Sequence, residues 1–338
     1  MNRFLFGHLC LALLFAAVGL TACGGQKKHS NKTMPASVSA PAFSADSAYA
    51  FTARQMDFGA RVPGTSAHRA CGDFFVETLT RYGAVVTQQE DFVTAYDGSK
   101  MPLRNIVAAY RPELARRIFV SAHWDCRPWC DQDAAKYHHT PVPGANDGAS
   151  GAAVLLELAR QLQTLTAEGK DFNLGVDLIF FDAEDAGTPS CETRHDEDSW
   201  CLGSQYWARR PHVDGYRAEY GILLDMVGGQ RPGFFLEQIS MVYAADVLYK
   251  VWDKAAALGY GGLFINRTGG AITDDHLFVN RLAGIPCIDI IDFDESLMGG
   301  FPDTWHTHRD DLAHIDASSL QAVGATVLAV ICDEAAAR

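Results

Sequence analysis

Between residues 117 and 291 the chain repeats one pattern: a short apolar run closed by a carboxylate or a histidine, then a stretch with helical spacing. Residues 117–122 lead to His123-Trp124-Asp125, 176–181 lead to Asp182, and 220–224 lead to Asp225; 285–291 is a fourth such run. Short apolar runs rich in β-branched and aromatic residues read as strands buried on both faces. Residues 151–162 carry Ala152, Leu155, Leu158 and Leu162 at helical spacing, and 244–257 read the same way. Strands alternating with helices set the class as α/β: a single domain with a mixed, mostly parallel central sheet flanked by helices. Ligands of such sheets bind beyond the carboxyl ends of the strands, where the polar residues of this chain fall.

Around that alternation the reading is coarser. Residues 44–83 read as helical, with Phe51, Phe58, Phe74, Phe75 and Leu79 as core contacts. A strand pair is expected at 84–93 and 104–109, and a closing helix at 316–335 with Asp316 as its N-cap. No repeat or second linker interrupts residues 44–338, which are assigned to one domain.

The N-terminus reads as an address. Residues 1–22 have Arg3 before a nearly continuous apolar run, as in a signal peptide. Leu20-Thr21-Ala22-Cys23 resembles a bacterial lipobox, in which the cysteine is lipidated and becomes the first residue. Residues 23–43 are then the lipidated Cys23 and a flexible tether rich in Gly, Lys, Ser, Asn and Pro. On this reading the chain is an exported lipoprotein of the bacterial cell envelope, held to a membrane through Cys23. Export permits disulfides. Of nine cysteines, Cys10 leaves with the signal and Cys23 carries lipid. The remaining seven are an odd number, and Cys191 with Cys201, flanking a polar loop, is the favoured pair. Cys126 and Cys130 lack a second Cys/His pair at zinc-finger spacing, and Cys287 and Cys332 lie in apolar segments as core thiols.

Charge excludes one broad class. Lys and Arg number 28 against 41 Asp and Glu, a net charge of −13, with no basic run. A nucleic-acid partner would need the opposite balance.

Five segments carry candidate metal ligands after an apolar strand or in a following loop. They are His123-Trp-Asp125, Asn146-Asp147-Gly148, Asp182-Ala-Glu184-Asp185, Asp225, and Trp305-His306-Thr307. A lone Asp after a strand is commonly a helix cap or turn former. Jointly, two histidines and several carboxylates from separate segments make a mixed N/O site of the kind that holds zinc. Gly148-Ala-Ser150-Gly-Ala152 lacks the final glycine of a serine nucleophile elbow. A binding module that had lost activity would lack a base or a ligand, and none is missing.

The order His-x-Asp, Asn-Asp-Gly-Ala-Ser-Gly, Glu-Asp, Asp, His resembles the zinc aminopeptidase superfamily, with its phosphorylase/hydrolase-like α/β fold. The stretches 144–151 and 180–185 carry the resemblance most specifically, and it extends over about residues 44–335. It implies that the first acid of the pair, Glu184, moves protons and the second, Asp185, binds zinc. It also implies a metal set of Asp147, Asp185 and His306, and a possible second site completed by His123 and Asp225.

Two further stretches are similar to the animal-type and bacterial glutaminyl cyclases of that superfamily: Ile272-Thr273-Asp274-Asp275-His276 and Phe301-Pro-Asp-Thr-Trp305-His306-Thr307. These enzymes convert an N-terminal Gln of peptides or proteins into pyroglutamate and release ammonia. The resemblance implies one zinc, a catalytic Asp274 beside Glu184, and Trp305 and Asp275 against the substrate. Trp200, in the long polar loop 187–200, is set loosely at the pocket rim. Asp289 departs from the animal pattern, which tends to carry His there. The alternative is a di-zinc aminopeptidase, which would use the same ligand types; Trp305 and Asp274 favour the cyclase.

Overall fold

The computed structural model describes residues 40–337, apart from 168–169, 194–195 and 298. The expected signal peptide (1–22), Cys23 and the expected tether up to residue 39 lie outside the described residues. The far end of the tether departs from the reading. Phe43 is buried at 5% exposure in the main core, packed against Gly324, so the flexible segment cannot extend to residue 43.

In chain order the elements are α1 (Ala45–Asp57), α2 (Ser66–Arg81), β1 (Val85–Thr94), β2 (Lys100–Tyr110), β3 (Arg117–His123), α3 (Ala149–Leu165), β4 (Gly175–Phe181), α4 (Leu202–Arg209), β5 (Gly221–Asp225), β6 (Phe234–Leu236), α5 (Gln238–Ala257), β7 (Phe264–Thr268), α6 (Asp275–Phe278), β8 (Cys287–Ile291) and α7 (Ala317–Ala336). The main sheet runs β1-β2-β4-β3-β5-β8. β1, β2 and β4 pair antiparallel, and β4, β3, β5 and β8 pair parallel. The mixed, mostly parallel sheet is therefore the one expected.

Alternation along the central strands divides the core. Ile118, Val120 and Ala122 of β3 join the larger cluster, which also holds side chains of α1, α3, α5 and α7. Phe119 faces the other way, into a smaller cluster with Trp207 of α4 and Val279. Leu155, Leu158 and Leu162 of α3 are fully buried, each contributing about 2 kcal/mol of apolar transfer. α7 is long and apolar enough to cross a membrane, yet most of it is buried in this core.

The expected single helical stretch 44–83 is two helices. Pro63 lacks a donor, and Gly59 and Gly64 adopt left-handed backbone with φ of 93° and 84°, which ends α1 and turns the chain. Thr65 then caps α2 by accepting from the His68 N–H. Asp316 caps α7 by accepting from the Ser318 N–H, an interaction worth about 1 kcal/mol. The sequence reading did not resolve α4, α6 and the small parallel pair β6–β7.

Candidate active site

The tip of β3 organises the tip of β4. His123 ends β3, and two residues on the Asp125 carboxylate accepts the backbone N–H groups of Glu184 and Asp185 at 3.1 and 3.2 Å. Ala183, at φ 54°, turns the chain between Asp182 and this acid pair. Asp182 points elsewhere: it pairs with His68 Nε2 at 2.8 Å and accepts the Arg104 N–H at 2.7 Å. Although it follows a strand like the other candidates, it anchors α2 to the sheet and is no ligand.

The loop before α3 is held the same way. Asp310 accepts the backbone N–H groups of Asn146 and Asp147 at 2.7 and 3.0 Å. Gly148 has φ 91°, and a Cβ there would meet the Asp125 carbonyl at 2.5 Å. Gly151 lets α3 cross β5, since its Cβ would lie 2.3 Å from the Leu224 carbonyl. Ser150 donates to the Asn146 carbonyl and accepts the Val227 N–H, so its hydroxyl is committed to the loop.

These loops bring Asp147, Asp185 and His306 together. One donor atom from each lies within 4.8 Å of the others. His306 Nε2 stands 3.1 Å from Asp185 Oδ1 and 3.5 Å from Asp147 Oδ2. Asp185 Oδ2 is buried with no hydrogen-bond partner. Two carboxylates, one imidazole and an orphaned buried oxygen suit a zinc ion with an open position for substrate. Behind them Asp131 lies 3.5 Å from His306 Nδ1 and receives both ends of the Arg127 guanidinium at 2.8 and 2.6 Å. Arg127 also donates to the Asp185 carbonyl at 3.0 Å.

His123, Asp147 and Asp225 form an adjoining cluster. His123 Nε2 lies 3.0 Å from Asp147 Oδ1 and 3.1 Å from Asp225 Oδ1, so Asp147 is shared by both clusters. Burial works against charge on His123, but Asp125, Asp147 and Asp225 around it push its pKa well above the usual histidine range. Burial opposes ionisation of Asp147 too, yet His123, His306 and Arg127 hold it below the carboxylate range. Burial raises Asp225 to about 7 despite His123.

A cavity of about 340 Å³ opens beside these groups, lined by Asp147, Glu184, Asp185, Trp200, Asp225, Asp274, Trp305 and His306 together with apolar side chains. The Trp305 ring stacks on His306 at 3.8 Å between centroids and on Phe301 at 4.2 Å. Trp200 lies parallel to His306 at 6.1 Å, with the Arg127 guanidinium 4.6 Å from its ring centre. Burial raises Glu184 well above its ordinary range; His123 opposes this, and Asp185, Asp274 and Asp275 add to it. Asp274 caps α6: Oδ1 accepts the Asp275 N–H, and the buried carboxyl also meets that of Asp289. Asp275 does not line the cavity. It is 1% exposed, with Ser204 beside its carboxyl, and packs behind Asp274 rather than against the cavity where contact with substrate is expected.

Behind Asp274 stand Asp289, fully buried, and His276, whose Nδ1 is 3.7 Å from Asp289 Oδ2 and whose Nε2 is 3.1 Å from Glu237 Oε2. The expected Cys191–Cys201 pair is not formed. All seven cysteines among the described residues are free; Cys191 is exposed, and the buried Cys201 thiol donates to Glu184 Oε1 at 3.2 Å. Sequence reasoning assigned no role to Arg127, Asp131 or Asp310, took Cys201 for half of a disulfide, and counted Asp125 among the candidate ligands. Arg127 and Asp131, four apart in the sequence, and the second acid of His-x-Asp were the available signals.

Comparison with known proteins agrees with this geometry. A solved structure of Bacteroides thetaiotaomicron glutaminyl cyclase, bound to N-acetylhistamine, is 53% identical, with a TM-score of 0.84 over 87% of this chain and 99% of that one. A Zn-dependent exopeptidase from Parabacteroides distasonis is 52% identical, with a TM-score of 0.83 and the same coverage. Among curated relatives, the glutaminyl-peptide cyclotransferase of Drosophila melanogaster is 28% identical over 276 residues, 76% of this chain and 72% of that protein. A family model spanning residues 105–331, from the strand beside β4 through most of α7, matches as well, and the chain belongs to peptidase family M28.

Proposed function

We propose that this chain is a glutaminyl-peptide cyclotransferase that closes the N-terminal Gln of peptides or proteins to pyroglutamate and releases ammonia. The observation that carries the reading is the cavity in which Glu184, Asp274 and Trp305 surround the Asp147–Asp185–His306 cluster. The similarity to glutaminyl cyclases of bacteria and animals supports it.

The substrate carries both reactants. Its α-amine attacks its own γ-amide carbon, a C–N bond forms, and the amide C–N bond breaks to free ammonia. The protein's task is to hold the side chain folded back. Glu184 takes the proton shed by the amine and returns it to the departing nitrogen; its raised pKa suits a group that must both accept and donate. Asp274, which lines the cavity, offers its carboxyl to the amine or amide nitrogen. Trp305 is the aromatic wall, with Trp200 at the rim. Asp147, Asp185 and His306 would hold a zinc ion, which when bound would supply Lewis-acid polarisation of the γ-carbonyl. No attacking water is needed, so the apolar lining from Ile272, Ile291, Phe293 and Phe301 favours the reaction.

One ion is the proposed stoichiometry. The second cluster, like the first, sets a histidine Nε2 3.1 Å from a carboxylate, so the one-ion reading rests on Asp274 and Trp305, which line the cavity beside the first. That same second cluster is what favours the other reading, a di-zinc aminopeptidase. Ammonia release from Gln-Gly by the full chain, beside hydrolysis of Leu-p-nitroanilide and metal analysis of the sample, separates the two. Ammonia and pyroglutamate with one zinc and Leu untouched is the expected result; free leucine with two zincs would establish the aminopeptidase.

The substrates follow from the address at residues 1–23. An exported protein anchored through Cys23 would meet the newly exposed N-terminal Gln of other exported proteins. N-terminal proteomics of a deletion strain should show fewer pyroglutamate termini, and unchanged levels would refute this.

A further inference from the structure

Among the described residues, four of the six non-glycine residues with left-handed backbone stand at the site: Ala183, Cys201, Met226 and His306. Such backbone costs a side-chain-bearing residue about 1 kcal/mol or more, and it persists where the surroundings enforce it. Two of the four face each other. The Cys201 N–H donates to the Glu184 carbonyl at 2.9 Å, and the Leu202 N–H to the Ala183 carbonyl at 3.0 Å. With φ 55° at Cys201 and φ 54° at Ala183, the loop after β4 is clamped to the residue pair that aims Glu184. The same turn points the Cys201 side chain at the Glu184 carboxylate, its thiol 3.2 Å from Oε1. Cys201 is fully buried, and burial with the nearby Glu184, Asp275 and Asp274 carboxylates pushes its pKa well above the thiol range, so it remains an S–H donor.

We propose that Cys201 is a positioning residue for Glu184: its thiol fixes Oε1 and leaves Oε2 to exchange the proton with substrate. The inference rests on the role proposed above for Glu184. A glycine would relieve the backbone strain, but it would leave Oε1 without this donor. The choice of sulfur has a physical reason. Strong donors to a carboxylate stabilise its charge and make it a poorer base. A thiol is a weak donor. It orients the group with little loss of basicity.

The test compares Cys201→Ala with Cys201→Ser in the full chain, each with zinc content and melting temperature measured. Valine is unsuitable, because a β-branched side chain does not fit left-handed backbone. The alanine variant should lose about tenfold in kcat with KM within about twofold and zinc unchanged, since misorienting a reacting group acts on the chemical step. The serine variant keeps a donor and should recover kcat to within about threefold of wild type. If the alanine variant fails to fold, Cys201→Gly, which suits the backbone, replaces it with the same expectation. A variant without a donor that keeps kcat within about twofold, or a serine variant as slow as alanine, overturns the proposal. Wild type is run beside them on Gln-Gly and Leu-p-nitroanilide. Should it turn over only the Leu substrate, the cyclase reading fails while the same ratios on that reaction still judge Cys201, because Glu184 is the proton acceptor in both. A wild type that turns over neither overturns both.

Discussion

On one side of the cavity, Asp125 and Asp310 spend their carboxylates on backbone N–H groups of the ligand loops, and Asp131 binds Arg127 at two points. On the other side the buried carboxyls of Asp274 and Asp289 face each other, and Asp275 has Ser204 beside it. The electrostatic consequence is opposite. Burial resists ionisation of Asp131, but Arg127 and His306 hold it far below the carboxylate range. Burial with neighbouring acids pushes Asp275 and Asp289 well above that range. The first side is a charged cradle whose supports are hydrogen-bonded, with Asp185 Oδ2 left for a cation. The second is a crowd of buried acids with raised pKa values, which favours bound protons beside a base that must exchange one.

Variants should separate the two sides. The largest effect belongs to the cradle: His306→Ala should lose zinc and at least about a thousandfold in activity, read by metal analysis and ammonia release. On the proton-holding side, Asp274→Asn should keep zinc and lower kcat about a hundredfold. Equal loss of metal in that variant would break the distinction. Trp305→Phe keeps an aromatic wall but loses the indole, and should cost about fivefold in kcat/KM with zinc intact. A separate effect, on stability alone, lies outside both sides. Burial pushes Asp292 up to about 7, although the Gly233 N–H it accepts pulls the other way. Between the ordinary carboxylate value of 3.8 and about 7 the folded chain holds a proton that the unfolded chain lacks. Its contribution to stability is therefore full at low pH and is lost as pH rises through 7. Asp292→Asn should remove about 2 kcal/mol of that pH dependence in denaturant titrations at pH 5 and 8.

The cradle was more legible in the sequence than the acid side. His123, Asp147, Asp185, Asp225 and His306 each follow a strand or sit in a short motif, so local order exposes them. Their supports Asp131 and Asp310 act on loops distant in sequence, and nothing local announces that. On the other side one residue decides. Asp274 is the cap of α6 and Asp275 its first residue, and consecutive helical side chains diverge by about 100°. Asp274 lines the cavity, and Asp275, which starts the helix, does not. Cys201 was read as half of a disulfide because polar flanks suggest exposure, whereas the left-handed turn buries it against Glu184. The parallel strands were visible as apolar runs, while the break between α1 and α2 depended on Pro63-Gly64 inside an otherwise helical pattern.

The account divides labour between two adjacent residues, Glu184 for the proton and Asp185 for the metal. Zinc content and single-turnover ammonia release, measured together on Glu184→Gln and Asp185→Asn, test that division most directly. The account predicts that Glu184→Gln retains its zinc and loses about a hundredfold or more in rate, while Asp185→Asn loses the zinc itself. Zinc lost in proportion to activity in Glu184→Gln, or a fully zinc-loaded Asp185→Asn, would contradict it.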